Sequence, residues 1–314
     1  MLGRSANGIF WMFRYLERAE NYARLLDTGF RMALTRDLLT AEQEWSSVIE
    51  TAGMAENYLA KNGTYTGLQV WNYILRDQGN PDSIRSLIGL VRNNARSVRN
   101  VITRELWEAV NESWLQINEL LARPVLQAGL GDAIAAVKRQ ATLVRGALDG
   151  SMLRNDIYNF ARIGAFLERA DNTARILDVK YYVLLPSLSY VGSSLDNVQW
   201  ETILRSLAAE RAYRWLTARQ LNARSIADFL IMDDRFPRSL SFCYTKIRSN
   251  LDALAQQYGE QLRAHDIMRR ADLQLQEADI EAVLEHGLHE FLNDFINRNR
   301  QIASAIERDY RFTD

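Results

Sequence analysis

The chain has 314 residues, a formal net charge of −1 and a sequence pI near 6.4, a balance that argues against a nucleic-acid binder. Its one cysteine, Cys243, excludes an internal disulfide and fits a reducing compartment. Four prolines and 16 glycines among many Ala, Leu, Arg and Glu point to helix throughout, in a chain long enough to bury a large core without staples.

The first helix is expected from about Asn7 to about Leu39. Its early part, Ile9 to Phe13, is apolar on every side, which suggests a buried start. That run is too short for a signal peptide and is interrupted by Arg14 and Glu17. Within this helix lies Leu16 to Asp27, L-E-R-A-E-N-Y-A-R-L-L-D, and the stretch returns at Leu167 to Asp178 as L-E-R-A-D-N-T-A-R-I-L-D. Nine of the twelve positions are identical, at an offset of 151 residues. At helical spacing Leu16, Ala19, Ala23 and Leu26 form one stripe, as do Leu167, Ala170, Ala174 and Leu177. The paired alanines admit a close helix neighbour. Glu17, Asn21 and Arg24 share a second face, as do Glu168, Asn172 and Arg175. Glu20 precedes Arg24 by four residues, and Asp171 precedes Arg175 likewise. As exposed pairs these contribute only about 0.2–0.5 kcal/mol each.

Thr40 is expected to cap the second helix, with Gln43 completing a capping box. That helix carries Trp45. Another ends near Asp77, and Pro81 then starts a helix running from Ser83 to about Glu108, with Arg92, Arg96 and Arg99 along it. Asn111 to Ala122 continues the pattern toward Pro124. Gly129-Leu130-Gly131 reads as a break, Asp132 as a cap, and Ala133 to Leu148 as a further helix. In the second half Leu184 to Ser194 is the clearest loop, Asp196 opens the helix carrying Trp200, and Ile203 to Ala227 reads as helical. Ser239 to Tyr258 follows Pro237, and Asp279 to Tyr310 closes the chain. Tyr181 to Val191 is apolar but short and broken by Pro186, so it cannot span a bilayer.

The repetition extends beyond the opening helix. Trp45-Ser-Ser-Val-Ile matches Trp200-Glu-Thr-Ile-Leu. Asp77, Pro81, Ser83, Arg92 and Asn94 match Asp233, Pro237, Ser239, Arg248 and Asn250. The offsets rise in order from 151 to 156, as small loop insertions would produce. The expected architecture is therefore all-α: a helical bundle of two tandem-duplicated halves, residues 1–150 and 151–314, sharing one core. No linker is long enough to mark a hinge.

No motif names a reaction. Gly129-Leu130-Gly131 lacks a following G-K-[ST] and follows a helix, which excludes a P-loop. There is no G-x-S-x-G elbow. Cys243 reads as a small buried hydrophobe. His286 and His289 lie near Glu285 and Glu290, but neither follows a glutamate by three residues, so the two-copy di-iron pattern fails and no metal or other cofactor is expected. What remains is a polar network of Arg14, Glu17, Arg18, Asn21, Arg24, Glu168, Arg169, Asn172, Arg175, Arg92 and Arg248. Two readings stand. The two copies face each other and satisfy one another as a buried interface, or they line a polar pocket in which Glu17 and Glu168 act as an acid–base pair. Of the 38 basic residues 34 are arginines, which suits planar multidentate pairing. Genome base composition gives the same bias.

Arg4-x-Ala6, Trp11, Arg14-Tyr15-Leu16-Glu17-Arg18-Ala19-Glu20 and Ala23-Arg24 resemble the bacterial alpha-E family. So do Phe166-Leu167-Glu168-Arg169-Ala170-Asp171 and the run from Phe229-Leu230 through Asp233, Arg235-Phe236-Pro237-Arg238-Ser239-Leu240. The resemblance covers almost the whole chain. It implies an all-helical protein without an assigned activity, encoded beside circularly permuted ATP-grasp ligases and transglutaminase-like peptidases. The family's characteristic acidic and basic positions then fall on Glu17, Arg18, Arg24, Glu168, Arg169 and Arg175. The function expected from this company is that of a non-catalytic adaptor in a system forming peptide or amide bonds, partnered by an ATP-grasp-type ligase or its peptide substrate. The alternative is an enzyme acting on an amide or peptide through Glu17 and Glu168. A homo-oligomeric bundle is a third reading. A cytoplasmic, membrane-free location is expected.

Overall fold

The first helix, α1 (Gly3–Ala33), begins where every side of the backbone carries an apolar residue, and Ile9, Phe10, Met12 and Phe13 are all buried. The stripe Leu16, Ala19, Ala23 and Leu26 continues that burial down the helix. In the computed structural model, which describes residues 3–34, 38–183, 194–216 and 221–312, α1 is the spine of a first group of seven helices. The others are α2 (Leu38–Thr51), α3 (Ala55–Asn62), α4 (Gly67–Arg76), α5 (Ile84–Ser97), α6 (Arg104–Leu120) and α7 (Gln127–Ser151). α1 packs on α5, α5 on α6, α6 on α7, and α7 returns to α1, closing a four-helix bundle. Leu87, Ile88 and Val91 of α5, Leu106, Val110 and Ile117 of α6, and Ile134, Val137 and Val144 of α7 fill it. Each such side chain contributes about 1.5–3 kcal/mol by leaving water. α2, α3 and α4 form a smaller cluster against α1.

Several boundaries differ from the sequence reading, each for a local reason. α1 stops at Ala33, short of Leu39, and α2 is already helical at Thr40, so Thr40 caps nothing. The long helix expected from Ser83 breaks after Ser97. Thr103 caps the new start, its hydroxyl accepting from Leu106 N at 3.2 Å and lying 2.6 Å from the Ser151 hydroxyl. The predicted break at Gly129–Gly131 is absent, because α7 runs straight through it. Both glycines face solvent while Leu130, Ala133 and Ile134 are buried. The packed face outweighs a glycine penalty of about 1 kcal/mol each.

α4 also fixes the link between α6 and α7. Trp71 Nε1 and Asn72 Nδ2 donate to Val125 O at 2.8 and 3.0 Å, and Val125 N donates back to Asn72 Oδ1 at 2.9 Å. Arg76 donates to the carbonyls of Leu121 and Ala122, both at 3.0 Å. The open carbonyls at the end of α6 are thus satisfied by a neighbouring helix.

The chain continues as α8 (Asp156–Val183), α9 (Ser194–Ser206), α10 (Glu210–Leu216), α11 (Ala223–Met232), α12 (Leu240–Tyr258), α13 (Arg263–Gln276), α14 (Ile280–His286) and α15 (Leu288–Asp309). The loop expected from Leu184 lies outside the described residues up to position 193. The single helix expected over Ile203–Ala227 is interrupted: Ala208 takes a positive φ of 53° between α9 and α10, and Asn222 caps α11 by accepting from Ser225 N at 2.9 Å.

Two compact units divide the chain, Met1–Ala165 and Phe166–Asp314. The boundary falls inside α8 rather than at 150/151. The first turns of α8 belong with α1, since a Cβ on Gly164 would stand 2.3 Å from the Phe10 carbonyl oxygen, an approach that only glycine allows. In the second unit the later part of α8 bonds to α15, through Asn299 Nδ2 donating to Leu167 O at 2.9 Å. It also bonds to the entry of α12, through Thr173 Oγ1 donating to Arg238 O at 2.8 Å. α12 packs on α13 and α13 on α15.

The closest local correspondence lies before α5 and α12. Asp77 and Asp233 sit at the ends of α4 and α11, two helices of 10 residues each. Each carboxylate accepts from the backbone N–H two residues on, Gly79 and Arg235, at 2.8 Å in both cases. Burial alone would raise the pKa of both. Lys61 and the Gly79 and Asn80 N–H groups on Asp77, and Arg235 with the Phe236 N–H on Asp233, reverse this and lower both. Pro81 and Pro237 lie in the turns that follow, not inside the helices. The caps are Ser83 and Ser239, whose hydroxyls accept from Ser86 N and Phe242 N at 3.3 and 3.1 Å.

Candidate functional site

The repeated stretch places its acids on the side of α1 that meets α7. Glu17 and Glu20 are 1% and 0% exposed, so the Glu20–Arg24 pair is not the surface pair its spacing suggests. Arg24 grips Glu20 Oε1 through Nε at 3.0 Å and Nη2 at 2.6 Å. Arg145, from α7, reaches both acids: Nη1 is 3.4 Å from Glu17 Oε2 and in short contact with Glu20 Oε2. Seven residues along each helix, Lys138 Nζ meets Asp27 Oδ2 at 2.8 Å, and Arg31 pairs with the same carboxylate at 3.0 Å. α1 and α7 are thus cross-braced at two levels, as an antiparallel pair with heptad spacing allows. Burial works to raise the pKa of Asp27, but Lys138 and Arg31 outweigh it and hold it below the usual carboxylate range.

The remaining first-unit candidates divide among other partners. Arg18 leaves this face for Asp82 at 2.9 Å, tying α1 to the turn before α5. Arg14 lies over the Trp11 ring at 4.5 Å. Asn21 is buried. Arg92 connects α5 to α6, its Nε donating to Asn111 Oδ1 at 2.9 Å and its guanidinium 4.1 Å over Trp114. Arg145 was missed in the sequence reading. Its signal was there: Lys138 and Arg145 are seven apart and flank the apolar row Leu130, Val137 and Val144.

In the second unit Glu168 is again buried, and Asp171 pairs with Arg175 at 2.6 Å. Arg169 lies over Phe166 at 5.1 Å and donates to Pro237 O at 3.3 Å. Asn172 is half-buried. Asp178 meets His289 Nδ1 at 2.5 Å, and the Asn293 amide lies 2.9 Å from His289 Nε2. Lys138 and His289 are themselves 151 residues apart, so the partners of Asp27 and Asp178 stand at matching positions. Arg248 ties α12 to α13 through Asp272 at 2.8 Å, much as Arg92 ties α5 to α6. Among the described residues no three acids, histidines or cysteines cluster in a way that could hold a metal ion. Also among these residues, no helix is long and apolar enough to cross a membrane.

A different feature of the first unit is concave. A groove of about 650 Å³ opens between the end of α1, the start of α2 and the start of α4. Trp45, Trp71, Tyr65, Leu34 and Leu68 line it, with Glu42 at its edge. Trp45 and Trp71 meet edge to face with centroids 5.7 Å apart. Gly67 lets α4 start against them, because a Cβ there would stand 2.7 Å from Trp71 and 2.9 Å from Trp45 Nε1. Tyr65 stacks on Tyr58 at 5.2 Å. Burial pushes the Tyr58 hydroxyl up to about 12, so it stays a neutral donor to Thr64 O, at 2.7 Å.

No curated protein and no solved structure matches this chain. One family model does, over residues 1–310, and is described as a predicted alpha-helical domain with a conserved ER motif. Within its repeated stretch the chain carries Glu-Arg at Glu17-Arg18 and again at Glu168-Arg169. With helices as its sole regular elements among the described residues and the match spanning nearly its full length, the chain belongs to the Alpha-E family.

Proposed function

We propose that this Alpha-E protein is a non-catalytic helical adaptor built from two tandem copies of one bundle, and that it serves a system forming peptide or amide bonds by binding an ATP-grasp-type ligase or its peptide substrate. The observation that carries the adaptor reading is the state of Glu17. It is almost inaccessible and held by Arg145, beside a Glu20 held by Arg145 and Arg24. A general base needs access to a proton on its substrate and a pKa near the working pH. A carboxylate fixed against a guanidinium inside a packed helix pair instead supplies register and rigidity. This favours a bracing role for the repeated stretch over an acid–base role for Glu17 with Glu168.

The test is co-purification of the full chain with an ATP-grasp ligase encoded beside it, followed by ligase turnover with and without the chain. Binding together with altered turnover supports the adaptor. A chain that stays alone and leaves turnover unchanged overturns it. Amide or peptide hydrolysis by the chain alone, lost in Glu17→Gln without a change in melting temperature, would establish the enzymatic alternative.

A further inference from the structure

The groove at Trp45 and Trp71 belongs neither to the braced face of α1 nor to the adaptor reading, and its chemistry is of a different kind. Its volume of about 650 Å³ suits a small organic molecule rather than a single ion or a buried water. Its walls are indole, phenol and leucine side chains. Phe30 closes the inner side, edge to face with Trp71 at 6.2 Å. Among the described lining residues Glu42 is the one charged side chain. Glu42 is solvent-exposed, and the bond given for it is a long one, Tyr65 N to Oε1 at 3.4 Å. Its carboxylate therefore retains acceptor capacity toward the groove edge.

Aromatic walls with one carboxylate favour a cation on an apolar stem. The rings attract a cation through their quadrupoles, the carboxylate supplies a full opposite charge, and the stem fills the apolar remainder. The opposing field comes from helix ends. The first turns of α2, α4 and α7 also border the groove, through Ala41, Gly67, Leu68 and Gln127, and a helix start carries about half a positive charge. The C-terminal end of α1, bordering at Ala33 and Leu34, carries about half a negative charge and offsets one of them. These end charges are diffuse and fall off within a turn, whereas Glu42 carries a full charge on a side chain at the groove, so the net preference follows Glu42.

We infer that the groove between Trp45, Tyr65 and Trp71 is a binding site for a small alkyl- or arylalkyl-ammonium ligand, with its cationic head at Glu42 and its apolar body against the two indoles. The site lies wholly within the first unit. It has no like counterpart in sequence in the second, where Ala227 stands 156 residues after Trp71.

Calorimetric titration of the full chain with phenethylammonium and with its anionic counterpart, 3-phenylpropionate, tests this. The ammonium is expected to bind at least tenfold tighter. Glu42→Gln should weaken it about tenfold and leave the far-UV spectrum and melting temperature unchanged, since Glu42 is exposed. Glu42→Lys should abolish ammonium binding. Leu68→Glu, also at an exposed position, should strengthen ammonium binding, and this keeps the test independent of any change peculiar to position 42. Equal affinity for the two probes, tighter binding of the carboxylate, an ammonium affinity indifferent to Glu42→Gln, or no saturable binding of either probe would each overturn the assignment. None of these results bears on ligase binding, so the inference and the adaptor reading fail separately.

Discussion

The two units solve the same packing problem with different side chains. In the first, Arg145 reaches from α7 to two fully buried acids on α1. In the second, position 296, 151 residues later, is a buried isoleucine, and the acid matching Glu20 is Asp171, with 18% of its side chain exposed. One level further along, Lys138 pairs with Asp27 while His289 pairs with Asp178. The acid matching Glu17 stays buried in both units, as Glu168 in the second, so the change that accompanies loss of the arginine is at the position of Glu20. Where the cation is replaced by a hydrocarbon, that carboxylate is shorter and wetter. A helix pair can be held by ion pairing in low dielectric or by apolar contact, and the two are of comparable strength once desolvation is counted.

Removing Arg145 should break the comparison most severely. Arg145→Met leaves Glu17 without the cation it meets on α7 and Glu20 with one guanidinium fewer, and should cost about 3–5 kcal/mol in urea denaturation. The loss should appear as faster hydrogen exchange in α1 and α7. Adding Glu17→Gln and Glu20→Leu should restore most of it, bringing the first unit toward the apolar solution of the second. A loss below about 1 kcal/mol would mean that the brace contributes nothing measurable.

The next effect concerns helix approach. Gly164→Ala drives a methyl into the Phe10 carbonyl and should cost about 1–3 kcal/mol. Gly146→Ala, in the open on α7, should instead stabilise by roughly 0.4–1 kcal/mol. Thermal denaturation of the two variants side by side should show opposite signs, and equal signs would remove the close-approach argument.

The two serine caps sharpen the comparison by their likeness. Ser83→Ala and Ser239→Ala should each cost about 1 kcal/mol. The two losses should agree within a few tenths if the two turns are equivalent in energy as well as in geometry.

The smallest effect is acid dependence, and it has opposite signs in the two units. Asp27 has a lowered folded pKa. Its contribution is complete above the unfolded value of about 3.9 and is lost as pH falls through the lower folded one. Lys138→Met should therefore flatten the acid limb of the stability curve below about pH 4. Asp272 goes the other way, because burial raises its pKa against the lowering influence of Arg248 and Gln276. The folded state then holds its proton more tightly, so this group favours folding more as pH falls through the raised value toward about 3.9. Asp272→Asn should remove that rise. Denaturant midpoints measured from pH 3 to 7 would separate the two variants.

Much of this molecule could be read from spacing. The stripe at Leu16, Ala19, Ala23 and Leu26 is a core stripe, the helix expected to end near Asp77 ends there, and every regular element among the described residues is a helix. The reading failed where tertiary contact overrode local signals. Two exposed glycines did not stop α7, because Leu130 and Ile134 were buried beside them. Pro81 and Pro237 stand in the turns, and the serines two residues on, rather than the prolines, mark the helix starts. Of the braced face, spacing revealed the acids on one helix but not the bases that meet them. Arg145 and Lys138 lie more than a hundred residues from their partners, and only packing brings them together. The aromatic groove was invisible for the same reason, since Trp45, Tyr65 and Trp71 converge from separate elements.

The indole of Trp71 has two tasks. One edge lines the groove while its N–H holds the Val125 carbonyl, inside the connection that leads into α7. A ligand seated in the groove would therefore bear on a side chain whose other edge holds the link between α6 and α7. A ligand that tilts this ring system would loosen that link, and one that seats it would tighten the link. The amide of Val125, which donates to Asn72 Oδ1 at 2.9 Å, is the place where such occupancy would first be felt.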